Sequence, residues 1–260
     1  MYANTIETLF ERIQNGYEFR LGDYFTKGWE IFRQNAGIFI GYSLIYIGIS
    51  LAGNIIPIIG GLALLVISPA LSIGPYIVAN RIDRNEPYEF KTFFQGFDKL
   101  GQLFVVYLLQ ILMIFAAMLP GFILLISSFG QAFFDNLSLS SGSGAGLMTG
   151  VVLITIPAIY LGISYVLALP LVWFFDLQPW QALETSRKLV GKQWFMWLAF
   201  FIVQGLLAFA GIIALFIGLL FAIPIIICAN YAAMADITRL NERTSELDDI
   251  DISRHFGKMD

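Results

Sequence analysis

Three amides, Gln110, Gln204 and Asn230, with the phenol of Tyr231 beside the last of them, lie a turn or more inside stretches of this chain that carry no charge at all. Neutral groups of this kind donate and accept hydrogen bonds but hold no counter-charge and relay no proton at neutral pH. Two roles are open to them. They can bond between helices, at about 0.6–2 kcal/mol each, or they can line a cavity for an uncharged or zwitterionic ligand. The other groups in the same stretches are also neutral: Tyr42, Tyr46, Asn54, Asn80, Tyr160 and Tyr165, and the hydroxyls of Ser43, Ser50, Ser68, Ser72 and Ser164. A serine nucleophile needs a base beside it, and no Lys or His lies near these serines in sequence. Such serines ordinarily bond a carbonyl of their own or a neighbouring helix. Intramembrane proteolysis by aspartates or by an H-E-x-x-H zinc motif lacks its residues, and the one histidine, His255, falls in the tail. The expectation is therefore of a chain that is not an enzyme and carries no cofactor or metal.

The elements that must position these groups follow from the charges. Arg33 to Arg81 encloses 47 residues without a charge, Lys99 to Asp135 encloses 35, Asp135 to Asp176 encloses 40, and Lys192 to Asp236 encloses 43. A bilayer-spanning helix takes about 20 apolar residues, so the two longest gaps that lack an internal charge hold two spans each and the other two hold one each. Composition agrees: 58% of residues are hydrophobic and 13% charged, against about 45–50% and about 25% in soluble domains. The fold class expected is an all-α integral membrane protein of six transmembrane helices. The spans fall at about 36–56, 59–81, 101–126, 149–174, 194–212 and 214–236, the last turn, near Gly211, being marked by no polar residue.

All fifteen Lys and Arg residues lie before the first span or after the second, fourth and sixth. Lys/Arg placement sets orientation, which predicts a cytoplasmic (inner) membrane protein with both termini cytoplasmic. The external side is left with Asp135 and a Ser/Gly loop over about 127–148, whose Gly142-x-Gly144 spacing lacks the strand and helix of a phosphate loop. The first thirty residues carry too many charges for a cleavable signal peptide. Cys228, alone and inside the last span, reads as a small core residue.

Three domains of sequence result: amphipathic helices over 1–35, the six-span region over 36–236, and a charged tail over 237–260. Residues 4–15 form one amphipathic helix, opened by a capping box of Asn4 and Glu7 and ended by Gly16. A second covers 23–35, with Phe25, Trp29 and Phe32 opposite Lys27, Glu30 and Arg33. A third covers 83–100, with Phe90, Phe93, Phe94 and Phe97 opposite Lys91, Asp98 and Lys99. A fourth lies in 176–192 and opens at Pro179-Trp180. An aromatic face opposite a charged one suits a helix at headgroup level, which makes Phe25, Trp29, Phe32, Phe90, Phe94, Phe97 and Trp180 the expected interfacial anchors.

The chain also repeats weakly. Pro87-Tyr88 and Pro179-Trp180 lie 92 residues apart, and Phe25, Trp29 and Phe32 match Phe90, Phe94 and Phe97 at an offset of 65. Pro69 with Gly74, Pro157 with Gly162 and Pro224 with Ala229 place a small residue five after a proline in each even-numbered span. Three copies of an interfacial amphipathic helix plus a helical hairpin are the arrangement this predicts.

The stretch from Ala182 to Phe195 (ALETSRKLVGKQWF), with Trp29-Glu-Ile-Phe-Arg-Gln-Asn, Asn85-Glu-Pro-Tyr and Phe93-Phe-Gln-Gly-Phe, resembles the recurring marks of a broad group of bacterial multi-pass membrane proteins. The group includes the membrane domain attached to some glycerophosphodiester phosphodiesterases. The resemblance spans about residues 20–240 and implies a helical membrane fold without assigned chemistry; the phosphodiesterase belongs to a separate soluble domain.

Two functional readings follow. One is a non-enzymatic protein acting through packing with membrane lipids or a membrane-protein partner. The other is a small transporter or channel for a neutral, amphipathic or lipid-like solute. Nucleic acid is not an expected partner.

Overall fold

The computed structural model of the chain describes residue 9 and residues 11–56, 58–134, 141–214 and 218–241. The capping box expected at Asn4 and Glu7, the loop residues 135–140 and the tail beyond 241, His255 included, lie outside these. Among the described residues the regular structure is helical throughout. After a short turn of helix at residues 11–15 come α1 (Leu21–Gln34), α2 (Ala36–Ile55), α3 (Ile59–Asp83), a 3₁₀ helix (Phe90–Lys99), α4 (Leu100–Phe134), α5 (Ser141–Ser164), α6 (Ala168–Phe175), α7 (Pro179–Lys192), α8 (Trp194–Ile213) and α9 (Leu219–Ile237). Among the described residues six helical runs are long and apolar enough to cross a membrane: α2, α3, the 3₁₀ helix with α4, α5 with α6, α8 and α9. The chain is thus a multi-pass integral membrane protein. The 20 residues of α2 measure about 30 Å at 1.5 Å per residue, the thickness of a hydrocarbon core.

Each amphipathic element leads straight into an odd-numbered span. Asn35 alone separates α1 from α2, Gln193 alone separates α7 from α8, and the 3₁₀ helix runs into α4 without a break. Local signals explain their starts. Glu89 and Thr92 form a reciprocal capping box at the head of the 3₁₀ helix, and Pro179 opens α7, where its missing N–H costs nothing. The fourth run breaks at Tyr165–Leu167 because Pro170 can donate no bond to the carbonyl four residues back. Ser186 of α7 fills that break, its Oγ donating to Ser164 O at 2.7 Å and accepting from Leu167 N at 3.2 Å.

Two boundaries differ from expectation. The Ser/Gly loop expected over about 127–148 is helical on both flanks, α4 continuing to Phe134 and α5 starting at Ser141. Antiparallel packing overrides the weak helix propensity of Gly and Ser here: a Cβ on Gly121 would stand 2.8 Å from Gly150 O and 2.6 Å from Ile154, so glycine backbones bring the two helices together. The last turn falls after Gly211, between Ile213 and Leu219, with Gly211 and Gly218 in backbone contact across it.

The amphipathic elements dock on other spans. Helix α1 packs on α9, the 3₁₀ helix on α3, and α7 on α4, α5 and α6. Small residues set these distances. A Cβ on Gly28 would lie 2.6 Å from Ala229 N, and one on Gly74 or Gly96 would collide with the backbone of Phe93 or Ala70. Trp197, Phe200, Phe32, Phe39, Phe93 and Tyr231 are the large side chains fully enclosed at this end of the bundle.

That docking corrects one expected interfacial anchor. Phe32 is only 2% exposed and packs against Phe39 and Phe221, while Phe25 is half-buried on Phe200 and Phe94 half-buried beside Tyr42. The apolar stripe of a helix is wider than one row of side chains, and the side of it that meets α9 is taken into the protein core. Trp29, Phe90, Phe97 and Trp180 remain exposed on the outer surface.

Candidate functional site

Three arrangements of polar residues bear on a site. The first is a buried amide pair. Gln204 Nε2 donates to Asn230 Oδ1 at 3.1 Å, and Asn230 Nδ2 donates back to Gln204 Oε1 at 3.3 Å. This ties α8 to α9 and uses each amide on the other.

The second arrangement is an ion-pair cluster where α1 meets the last turns of α3 and α9. Asp83, with its side chain 8% exposed, accepts from Lys27 Nζ at 2.5 Å, from Tyr231 OH at 3.2 Å and from Asn241 Nδ2. Asn80 Nδ2 in turn donates to Tyr231 OH at 3.0 Å. Asp236 accepts from Arg20 at 2.7 Å and Tyr24 OH at 2.8 Å. Burial, with Asp236 beside it, raises the pKa of Tyr24, so it stays a neutral donor. A cavity of about 370 Å³ opens among these groups, and of the charges that border it Arg20 is paired with Asp236 and Lys27 with Asp83. Nearby, Tyr17 OH donates to Leu189 O at 3.0 Å and accepts from Trp197 Nε1 at 2.9 Å. Desolvation pushes its pKa up to about 12 against the opposing pull of the Trp197 bond, so this knot between the chain before α1 and the α7–α8 junction is uncharged. Both clusters are structural in form: they clamp the amphipathic helices onto the spans.

The third arrangement is a cavity of about 550 Å³ between α2, α3 and α9. On α2 it is bordered by Ser43, Tyr46, Ser50 and Asn54, which recur three or four residues apart and so share one helix face. Ser72 and Tyr76 face them from α3, and Ile223 and Ile227 close the side from α9. Among the described residues no charged one borders it. Tyr42, at its edge, donates to Leu71 O at 2.6 Å and pins the two helices together at that level.

None of the four residues expected to line a cavity borders either of these two. Gln204 and Asn230 face one another, Tyr231 serves Asp83, and Gln110 is half-buried on α4. The stripe on α2 went unrecognised because its serines and tyrosines look ordinary singly. The three-to-four-residue recurrence from Ser43 to Asn54, in a helix otherwise apolar, was the available signal.

Among the described residues no three His, Cys, Asp or Glu side chains converge as a metal site would require. Compared with protein-family models, curated proteins and solved structures, the chain matches none of them.

Proposed function

We propose that this protein is a non-enzymatic, three-repeat component of the cytoplasmic membrane, both termini inside, that binds a neutral amphipathic or lipid-like molecule between α2, α3 and α9. The cavity of about 550 Å³ bordered by a polar stripe on α2 and by no charge carries this reading. Its size lies within the range of about 300–1,000 Å³ usual for small-molecule sites, which combine apolar walls with a few placed polar groups. A polar stripe along one span favours a bound solute over a role in packing alone, since a helix that only met lipid would gain nothing from four polar side chains on one face. The resemblance to bacterial multi-pass proteins is kept as part of the proposal and implies the same membrane-embedded setting.

Matching contacts support the repeat. Offset by 65, Gly28 falls on Phe93. Gly28 meets Ala229, five after Pro224, and Phe93 meets Gly74, five after Pro69. In the third unit Ser186 meets Ser164, seven after Pro157. Each amphipathic helix would then rest on the even-numbered span of the preceding unit, the first closing on the third. Such repeats recur in transporters, which favours solute handling as the broader role.

The test is occupancy. Extracted with its surrounding lipid and analysed by mass spectrometry, the protein should retain a specific lipid or amphipathic solute. Ser72→Trp, which fills the cavity from α3, should release it without unfolding the protein. An identical retained set in both proteins would overturn the reading.

A further inference from the structure

We infer that the cavity between α2, α3 and α9 selects a neutral lipid rich in acceptor oxygens, of the diacylglycerol class, over a phospholipid; the inference rests on the function proposed above and names its ligand class. The hydroxyls carry it. Ser68, Ser72 and Ser164 each donate to the carbonyl four residues back, at 2.5, 2.8 and 2.6 Å, and Tyr42 donates across to Leu71 O. Ser43, Tyr46, Ser50 and Tyr76, which border the cavity, donate to no acceptor among the described residues. Four O–H donors thus face one concavity with their protons unassigned. In hydrocarbon such a donor is costly until something accepts from it, so the matching ligand brings acceptors and little else that is polar.

Position and charge narrow the class. Ser43 lies seven residues into α2, about 10 Å along the axis from Ala36, and the Tyr42–Leu71 bond sets Ser72 at nearly the same level. From there the stripe runs to Asn54, about 16 Å further at 1.5 Å per residue. Ser43, Tyr46 and Ser50 follow one another at steps of about 4–6 Å along the axis, so neighbouring donors can each meet a separate acceptor, as the ester carbonyls and free hydroxyl of a glycerol backbone provide. Ile47, Leu51, Ile223 and Ile227 supply the apolar wall for the chains. A phosphate drawn to this depth would meet no cation among the described residues, because none of them that borders the cavity is charged, and an uncompensated charge there is expensive. Arg20 and Lys27, on the separate ion-pair cluster, already hold Asp236 and Asp83.

The full-length protein, placed in phosphatidylcholine nanodiscs, is exposed in parallel to photoactivatable diacylglycerol and to photoactivatable phosphatidylglycerol with the same acyl chains. Crosslinked peptides are then mapped by mass spectrometry. The diacylglycerol probe should label the segments 43–54 and 72–76 about fivefold or more above the phosphatidylglycerol probe, the discrimination of roughly one hydrogen-bonding or charge difference. The double variant Tyr46→Phe with Ser50→Ala, which keeps most of the volume and removes two donors, should lower that labelling severalfold. Equal or stronger labelling of the same segments by phosphatidylglycerol overturns the ligand class and leaves the cavity reading standing. Label from neither probe on these segments overturns both. Undiminished labelling of the double variant overturns the hydroxyl argument.

Discussion

Along α9, Cys228, Ala229, Tyr231, Ala233 and Met234 are fully enclosed, whereas along α4 Phe115, Ile123, Ile126 and Phe129 stand more than half exposed. The contrast divides the molecule by depth. The end bearing α1, the 3₁₀ helix and α7 is packed as a soluble protein's interior is packed, with crossed aromatics, ion pairs and glycine-mediated contacts between backbones. At the opposite end, among the described residues, glycine contacts within hairpins, such as Gly121 with Gly150 and Gly211 with Gly218, bring the spans together, and much apolar surface is left for lipid. Lipid tails are as apolar as Leu, so apolar area alone gives helices no reason to pack in a bilayer. Cohesion comes instead from polar bonds and close backbones, and these concentrate where the amphipathic helices dock. The cavity lies between the two regimes: its Tyr42 end is anchored in the packed half and its Asn54 end reaches the open one.

The sharpest test of that contrast uses two aromatic residues on one helix. Trp197 is fully buried and bonded to Tyr17, whereas Phe195, two residues before it, is 80% exposed. Trp197→Ala should cost about 3–5 kcal/mol and abolish most of the folded yield, while Phe195→Ala should leave the melting temperature in detergent nearly unchanged. Similar losses for both would remove the distinction between a packed and a lipid-facing half.

Glycines provide the next test. Gly74→Val forces a side chain into the Phe93 backbone, while a Cβ on Gly48 meets nothing within 4 Å. Overpacking of this kind typically costs about 1–3 kcal/mol. Thermal unfolding should separate Gly74→Val from Gly48→Val clearly, and a Gly74→Val protein as stable as its Gly48 counterpart would show that the 3₁₀ helix is loosely held.

The smallest expected effect concerns the amide pair. Gln204→Leu and Asn230→Leu should each destabilise by about 0.6–2 kcal/mol, and the double variant by less than their sum, since each single change strands the other amide. Strict additivity in this double-mutant cycle would indicate that the two amides act independently.

Much of the architecture was legible in the chain because its determinants are local. Arg33 and Arg81 bound an uncharged stretch whatever the rest of the protein does, and Pro179 starts a helix by its own chemistry. The site was less legible. Gln204 and Asn230 drew attention as amides in apolar surroundings, yet that very property is what makes each the other's partner, across 26 residues of sequence and two helices. Phe32 and Phe25 share a stripe with Trp29, and only the docking of α1 on α9 determines which of them meets lipid.

By itself, the sequence determined which segments enter the membrane, which residues are helical within them, and where the aromatic and charged faces of the amphipathic helices lie. A charge in hydrocarbon is penalised one residue at a time, and helical backbone bonds close within a segment, so neither needs a neighbour. Tertiary structure decided which polar groups are already spent. Tyr42 and Tyr46 are indistinguishable in sequence, but Tyr42 bonds Leu71 O of α3 while Tyr46 faces the cavity with its proton unassigned. Hydrogen-bond satisfaction belongs to the pair and not to the residue, and the pairs form only when α2, α3 and α9 stand side by side.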